Sequence, residues 1–221
     1  MSSTYKLLAA AFVLARVDRG DDSLDRRIAY SKDTLVAYSP IMEKHVDDGG
    51  MTLGEICEAA VTLSDNAAGN LILESLGGPA QFTQFARALG DGLTRLDRVE
   101  TALNEAKPGD PRDTTTPAAM ANNLNRLVLG DALSARSRDQ LSAWMVANKT
   151  GDKRLRAGIP REWRVGDKTG SGGHAQTNDI AVIWPPDRGP IVVTAYYAES
   201  PEPDDVRNKV LAEVGRLAVS L

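Results

Sequence analysis

Arg164-Val165-Gly166-Asp167-Lys168-Thr169, Asp179-Ile180-Ala181-Val182-Ile183-Trp184 and Ile191-Val192-Val193-Thr194-Ala195-Tyr196-Tyr197 are three short strand-like runs late in the chain. β-Branched and aromatic residues crowd the second and third, and Pro185-Pro186-Asp187-Arg188-Gly189-Pro190 between them is a hairpin connection. A helix over about Pro203–Leu221 follows. Everything before the strands reads as helix and loop. Residues 3–17 are rich in Ala and Leu and apolar nearly all round, as in a central buried helix. Residues 21–50 are polar and broken by turns. Thr52–Leu63 has Thr52 as N-cap with Glu55 three residues on, a capping-box pattern. Further helices are expected over about 67–74, 80–88, 117–129 and 136–147. Residues 91–117 hold four Asp, two Glu and Pro108, Pro111 and Pro117 with little apolar periodicity, so they form a long irregular loop. Loops longer than about 12–15 residues are usually functional. Helices, then a meander, then a helix define an α+β fold: an antiparallel sheet packed with helices plus an all-helical part. One domain over 1–221 is expected, its helical part about 3–147 and its sheet and C-terminal helix about 163–221.

Composition narrows the function. The 221 residues are 42% hydrophobic and 25% charged, with 26 Lys+Arg against 30 Asp+Glu. That is a globular balance without the basic patch a nucleic-acid partner needs. The longest apolar run, Leu7–Ala15, is nine residues, far short of the ~20 that span a bilayer. Only Lys6 precedes that run and no small-residue cleavage site follows, so it is a buried helix and not a signal peptide. A chain that opens at a core helix suggests that a segment normally precedes it. One cysteine, Cys57, excludes an intramolecular disulfide and a multi-cysteine zinc site. Two histidines, His45 and His174, supply a metal or a histidine triad poorly. The reading therefore needs no cofactor and no metal.

Three motifs carry chemistry. Ser3-Thr4-Tyr5-Lys6 sets a hydroxyl and an amine three apart at a helix start, on one face. The free N–H groups there suit an oxyanion, and an amine of lowered pKa can activate a serine. Alone, the pattern also describes an N-cap serine beside a solvated lysine. Ser64-Asp65-Asn66 lies between two helices, where Asp65 by itself reads as a cap. Lys168-Thr169-Gly170-Ser171-Gly172-Gly173 ends a strand, its glycines allowing close approach and its lysine and hydroxyls suiting a carboxylate. Ser-x-x-Lys on a helix, Ser-Asp-Asn between helices and Lys-Thr-Gly on a strand, in that order, form the set found in class A β-lactamases and penicillin-binding proteins.

The chain closely resembles a class A serine β-lactamase over nearly all its length. Arg98-Val99-Glu100-Thr101-Ala102-Leu103-Asn104-Glu105 is similar to that family's Ω-loop signature, in which the glutamate and asparagine hold the hydrolytic water. Arg98 and Asp113 match the ion pair at the loop's neck, Tyr38 the aromatic at the cleft mouth, and Thr177–Trp184 the strand after Lys-Thr-Gly. Many members pair a cysteine at the place of Cys57 with one at the place of Ala10, so Cys57 is expected to be free. Ser2 and Gly172 stand where some carbapenem-hydrolysing members have a disulfide, while Thr150 and Arg154 resemble that subgroup. The family also has a helix and two strands before its nucleophile, which this sequence lacks. The strand Ile191–Tyr197 should then present an open edge that pairs with a second chain.

The resemblance implies hydrolysis of the β-lactam amide bond of penicillins and cephalosporins, conferring antibiotic resistance, in a periplasmic or secreted protein with no nucleic-acid or membrane partner. It implies Ser3 as nucleophile and Lys6 or Glu100 as its base. Ser64 and Lys168 would protonate the leaving nitrogen, and Glu100 would activate the deacylating water. Thr169, Ser171 and Arg154 would bind the substrate carboxylate, with Tyr38, Asn66 and Asn104 around the rest of the substrate and the water. A penicillin-binding transpeptidase or a β-lactam sensor shares the three motifs but acylates without turnover, and Glu100 in its loop argues for turnover. An inactive fragment is the remaining alternative.

Overall fold

The computed structural model describes residues 1–220. Its centre is α1 (Tyr5–Asp18), whose residues from Tyr5 to Ala11 are all buried. Ala9, Ala10 and Ala11 give this helix a narrow waist, so neighbouring helices can close on it from several sides. Around it stand α2 (Leu53–Thr62), α3 (Asn66–Ser75), α4 (Pro79–Ala88) and α6 (Ala135–Val146), with α5 (Pro117–Leu124) running under the sheet. Each helix start is chemically marked. Thr52 accepts from Glu55 N while the Glu55 carboxylate returns to Thr52 N, the reciprocal cap expected from the sequence. Asp65, Thr116 and Ser134 cap α3, α5 and α6. Such caps contribute about 1 kcal/mol each.

The sheet is β3 (Arg164–Gly172), β4 (Gln176–Trp184) and β5 (Ile191–Tyr197), antiparallel in the order β3-β4-β5. Lys168 pairs with Ile180, and Thr169 with Asp179. Because side chains alternate, Asp167, Thr169 and Ser171 share one face of β3, and Lys168 and Gly170 the other. α7 (Asp204–Ser220) packs along β4 and β5. The final helix was expected to run to Leu221, which lies outside the described residues. Among the described residues β5 is an edge strand.

The α+β architecture is as the sequence indicated, with four local differences. The nucleophile motif opens in a 3-10 turn, Ser2–Thr4, ahead of the α-helix proper. β3 runs three residues past Thr169 and β4 begins three before Asp179, because the glycines that read as a strand end stay extended in the sheet. The helix expected over 117–129 becomes a π-helical turn at Asn125–Leu129. A two-residue ladder, β1 (Arg27–Ile28) with β2 (Met51–Thr52), closes the polar stretch.

Candidate active site

The 3-10 turn ahead of α1, the turn before α3, the loop 91–116 and strand β3 meet at one cavity of about 340 Å³. Ser3, Tyr38, Ser64, Asn66, Asn104, Thr150, Arg154, Thr169 and Ser171 all line it. A larger cavity of about 600 Å³, between β2, α2 and the end of α6, contains none of these groups.

The close approach of β3 to the Ser3 turn depends on Gly170. A Cβ there would lie 2.9 Å from Met1 O and 3.3 Å from Ser3 N, so a side chain would push strand and turn apart. Gly172 does the same one pleat on, where a Cβ would meet Ser2 Oγ at 2.6 Å. Ser2 and Gly172 therefore do face each other, and Ser2 Oγ donates to Gln176 Oε1 at 2.6 Å. Cys57 is buried and free.

Lys6 is fully buried at the centre. Its Nζ lies 2.9 Å from Ser64 O, 2.6 Å from Asn66 Oδ1, 2.8 Å from Glu100 Oε1 and 3.0 Å from Ser3 Oγ. Ser3 Oγ also lies 3.4 Å from Glu100 Oε1. Three protons on an ammonium satisfy the three fixed acceptors. A neutral Lys6, by contrast, has a lone pair to receive the Ser3 hydroxyl proton. Burial lowers the Lys6 pKa, opposed by the Glu100 charge.

Across the cavity Lys168 Nζ donates to Ser64 Oγ and to Thr169 O, both at 2.9 Å. Burial first and the Lys6 charge second bring its pKa down to about 7. Ser64 itself has φ +60°, a left-handed turn that lets its carbonyl reach Lys6 and its hydroxyl reach Lys168. Asp65 between them is a structural clamp. Oδ1 caps α3 at Ala68 N, and Oδ2 accepts from Ile41 N and Met42 N. That clamp holds the segment bearing Tyr38, which is more than half exposed at the cavity mouth.

Glu100 is nearly buried in the loop. Asn104 Nδ2 donates to its Oε2 at 2.5 Å, and Asn104 Oδ1 is buried with no partner, an acceptor left open. The loop's neck is the pair Arg98 Nε–Asp113 Oδ2 at 2.6 Å, with Asp113 Oδ1 also accepting from Asp97 N and Arg98 N. Asn70 was not singled out in the sequence. It accepts from Glu100 N at 2.8 Å and donates to Glu100 O at 2.9 Å, fixing Glu100 by its backbone. Its signal was available: Asn70 is four residues after Asn66 on α3, hence on the same face.

Arg154 was expected to meet a carboxylate directly. Its Nε donates to Asn208 Oδ1, one terminal nitrogen to the carbonyls of Gly170 and Asn178, and the other to Ser171 Oγ at 2.6 Å. Four of its five N–H groups are thus engaged, and it meets the cavity mainly through Ser171. Thr150 Oγ1 and Thr169 Oγ1 are 2.6 Å apart, with Thr150 held by Asn148. Among the described residues no cluster of His, Cys, Asp and Glu is arranged to hold a metal, and no helix is long and apolar enough to cross a membrane.

A buried serine with a lysine and a glutamate in reach, a second serine–lysine pair opposite and a hydroxyl-lined strand edge define a serine acyl-transfer site. Comparison with known proteins agrees over the whole chain. The profile of the "Beta-lactamase enzyme family" matches residues 1–221. The sequence is 51% identical over 219 residues to beta-lactamase AST-1 of Nocardia asteroides, covering 99% of this chain and 70% of that one. It is 49% identical over 217 residues to beta-lactamase Toho-1 of Escherichia coli, covering 98% and 74%. The structure superposes with a TM-score of 0.98 on an ancestral (GNCA) class A beta-lactamase at 68% identity, covering 100% of this chain and 84% of that one. A putative class A beta-lactamase, PenP from Rhodopseudomonas palustris, gives 0.97 at 60% identity, covering 100% and 84%. The chain belongs to the β-lactamase enzyme family, class A.

Proposed function

We propose that the chain hydrolyses the amide bond of penicillins and cephalosporins through an ester on Ser3, and so confers resistance to them. The observation that supports this most is Ser3 Oγ, which accepts from Lys6 Nζ at 3.0 Å and donates to Glu100 Oε1 at 3.4 Å, so the hydroxyl stands between an amine and a carboxylate. Ser3 attacks the lactam carbonyl, and its proton passes to Lys6 or, through a water, to Glu100. The N–H groups of Ser3 and Ser171 hold the oxyanion; removing one such donor elsewhere costs about 10²–10³-fold in rate. As the C–N bond breaks, Ser64 delivers a proton to the ring nitrogen and Lys168 replenishes it. Water held between Glu100 and the open Asn104 Oδ1 then loses a proton to Glu100 and attacks the ester, returning Ser3 to its free form. Thr169 and Ser171 bind the substrate carboxylate, with Arg154 orienting Ser171 and offering its remaining N–H. Tyr38 and Asn66 wall the side-chain end.

Turnover rather than permanent acylation is favoured by Glu100, which a transpeptidase or sensor reading leaves without a task. Mixing this polypeptide with a chromogenic cephalosporin is the direct test. Steady catalytic turnover is the expected result, and a single stoichiometric burst with no turnover after it would favour the sensor or transpeptidase. Replacing Arg154 with Ala should raise KM roughly tenfold or more while kcat falls less, since Ser171, which Arg154 holds, and the one remaining Arg154 N–H are what meet the ground-state carboxylate. An unchanged KM would leave Arg154 a purely structural role.

A further inference from the structure

Ser2, the residue before Ser3, is fully buried and has φ +49°, in the left-handed region that a residue with a side chain rarely adopts. Such a conformation persists only where its surroundings impose it. It also decides where the Ser3 N–H points. That N–H lies in the planar peptide unit joining Ser2 to Ser3, so the Ser2 torsions swing it. From the sheet side Gly170 comes close to the same group, a Cβ there falling 3.3 Å from Ser3 N. A glycine, however, has no side chain with which to hold the turn.

What holds Ser2 is Gln176. Its Oε1 accepts from Ser2 Oγ at 2.6 Å, the one hydrogen bond of that hydroxyl among the described residues. Gln176 is built as the fixed end of this link. It stands opposite Gly172 in the β3–β4 ladder, and its own N–H closes the hairpin turn on Gly173 O at 3.2 Å. The turn is fastened on both flanks: Gly173 N donates to Asn104 O at 2.7 Å, and His174 O accepts from Glu199 N at 2.8 Å. Gly172 keeps the space between open, since a Cβ there would lie 2.6 Å from Ser2 Oγ and 3.2 Å from Gln176 Oε1. Two other polar links run from the sheet to this turn, and both are longer. Asn178 Nδ2 donates to Met1 O at 3.4 Å, and Tyr196 Oη lies 3.2 Å from Thr4 Oγ1. Neither is made to Ser2.

We propose that Gln176 is a positioning residue: by accepting the Ser2 hydroxyl it holds Ser2 left-handed and so aims the Ser3 N–H at the oxyanion. This rests on the N–H groups of Ser3 and Ser171 holding that oxyanion. A donor stabilises developing charge only when it is aimed beforehand at the place where the charge appears.

Gln176→Met keeps the reach of the side chain and removes the acceptor. Both readouts are taken on the Ser3 ester formed with a slowly released cephalosporin, so only molecules that acylate are counted. The infrared stretch of the ester carbonyl should move to higher wavenumber, because a misaimed N–H polarises the carbonyl less. Acylation and deacylation both pass through an oxyanion and should slow together by about tenfold, a part of the roughly 10²–10³-fold lost when such a donor is removed outright. Gln176→Glu offers a carboxylate oxygen at the same reach and should recover most of the rate. Ser2→Ala should slow both steps as much as Gln176→Met, and the double variant no further, because each change breaks the same bond. An unshifted carbonyl with wild-type rates in Gln176→Met, no recovery in Gln176→Glu, or additive losses in the double variant would overturn the proposal while leaving the hydrolase reading standing. A wild-type ester whose carbonyl absorbs like one free of hydrogen bonds would remove the oxyanion reading, and this proposal with it.

Discussion

Glu100→Ala should convert the protein from a hydrolase into a trap. Acylation can still run through Lys6, which lies 3.0 Å from Ser3 Oγ and is pushed toward its neutral form by burial. Deacylation cannot, because the water then has an acceptor in Asn104 but no base. A positioned general base contributes about 10²–10⁴-fold, so the ester should last minutes or longer. Mass spectrometry would show Ser3 heavier by the mass of the added penicillin, while wild type mixed with the same drug returns to its own mass. Wild type that also stays acylated would make the protein a sensor or transpeptidase. If neither protein is acylated, the chain as it stands is inactive.

Ser3→Ala should abolish turnover altogether, by about 10⁴-fold or more, since a nucleophile cannot be replaced by a better-placed base. Stability should hardly change. Ser3 makes no contact on which the core depends: its hydroxyl meets only Lys6 and Glu100, and those two keep each other's company at 2.8 Å. A melting temperature near that of wild type, with no adduct detectable by mass, is the expected pair of results. Residual turnover above a trace would reassign the nucleophile.

Much of this was legible in the sequence because the reaction is written in three short motifs whose order survives folding. Ser3 and Lys6 share a helix face by spacing alone. Thr52 and Glu55 announce a cap, and the β-branched and aromatic residues of Ile191–Tyr197 announce a strand. What escaped depends on contacts between elements. The resemblance makes Arg154 a carboxylate ligand, but most of its donors are taken up by Gly170, Asn178, Asn208 and Ser171, from three separate places in the chain. Asn70 reads as a helix residue until Glu100 arrives beside it from the 91–116 loop. The β1–β2 pair is too short for any period to register. Gly170 and Gly172 argued for a strand end by propensity, whereas their lack of a side chain is what lets the strand continue against the nucleophile turn.

That last contact has a consequence for how such a protein can change. The two N–H groups proposed to hold the oxyanion belong to different layers, Ser3 to the helical body and Ser171 to the sheet, and the layers touch where Gly170 meets the turn. Rate is therefore a property of a seam. Substitutions that widen the seam sacrifice chemistry before they sacrifice the fold, so a variant can keep its melting temperature and lose its turnover. Tyr38, by contrast, stands exposed at the rim of the cavity, away from the contact between Gly170 and the turn.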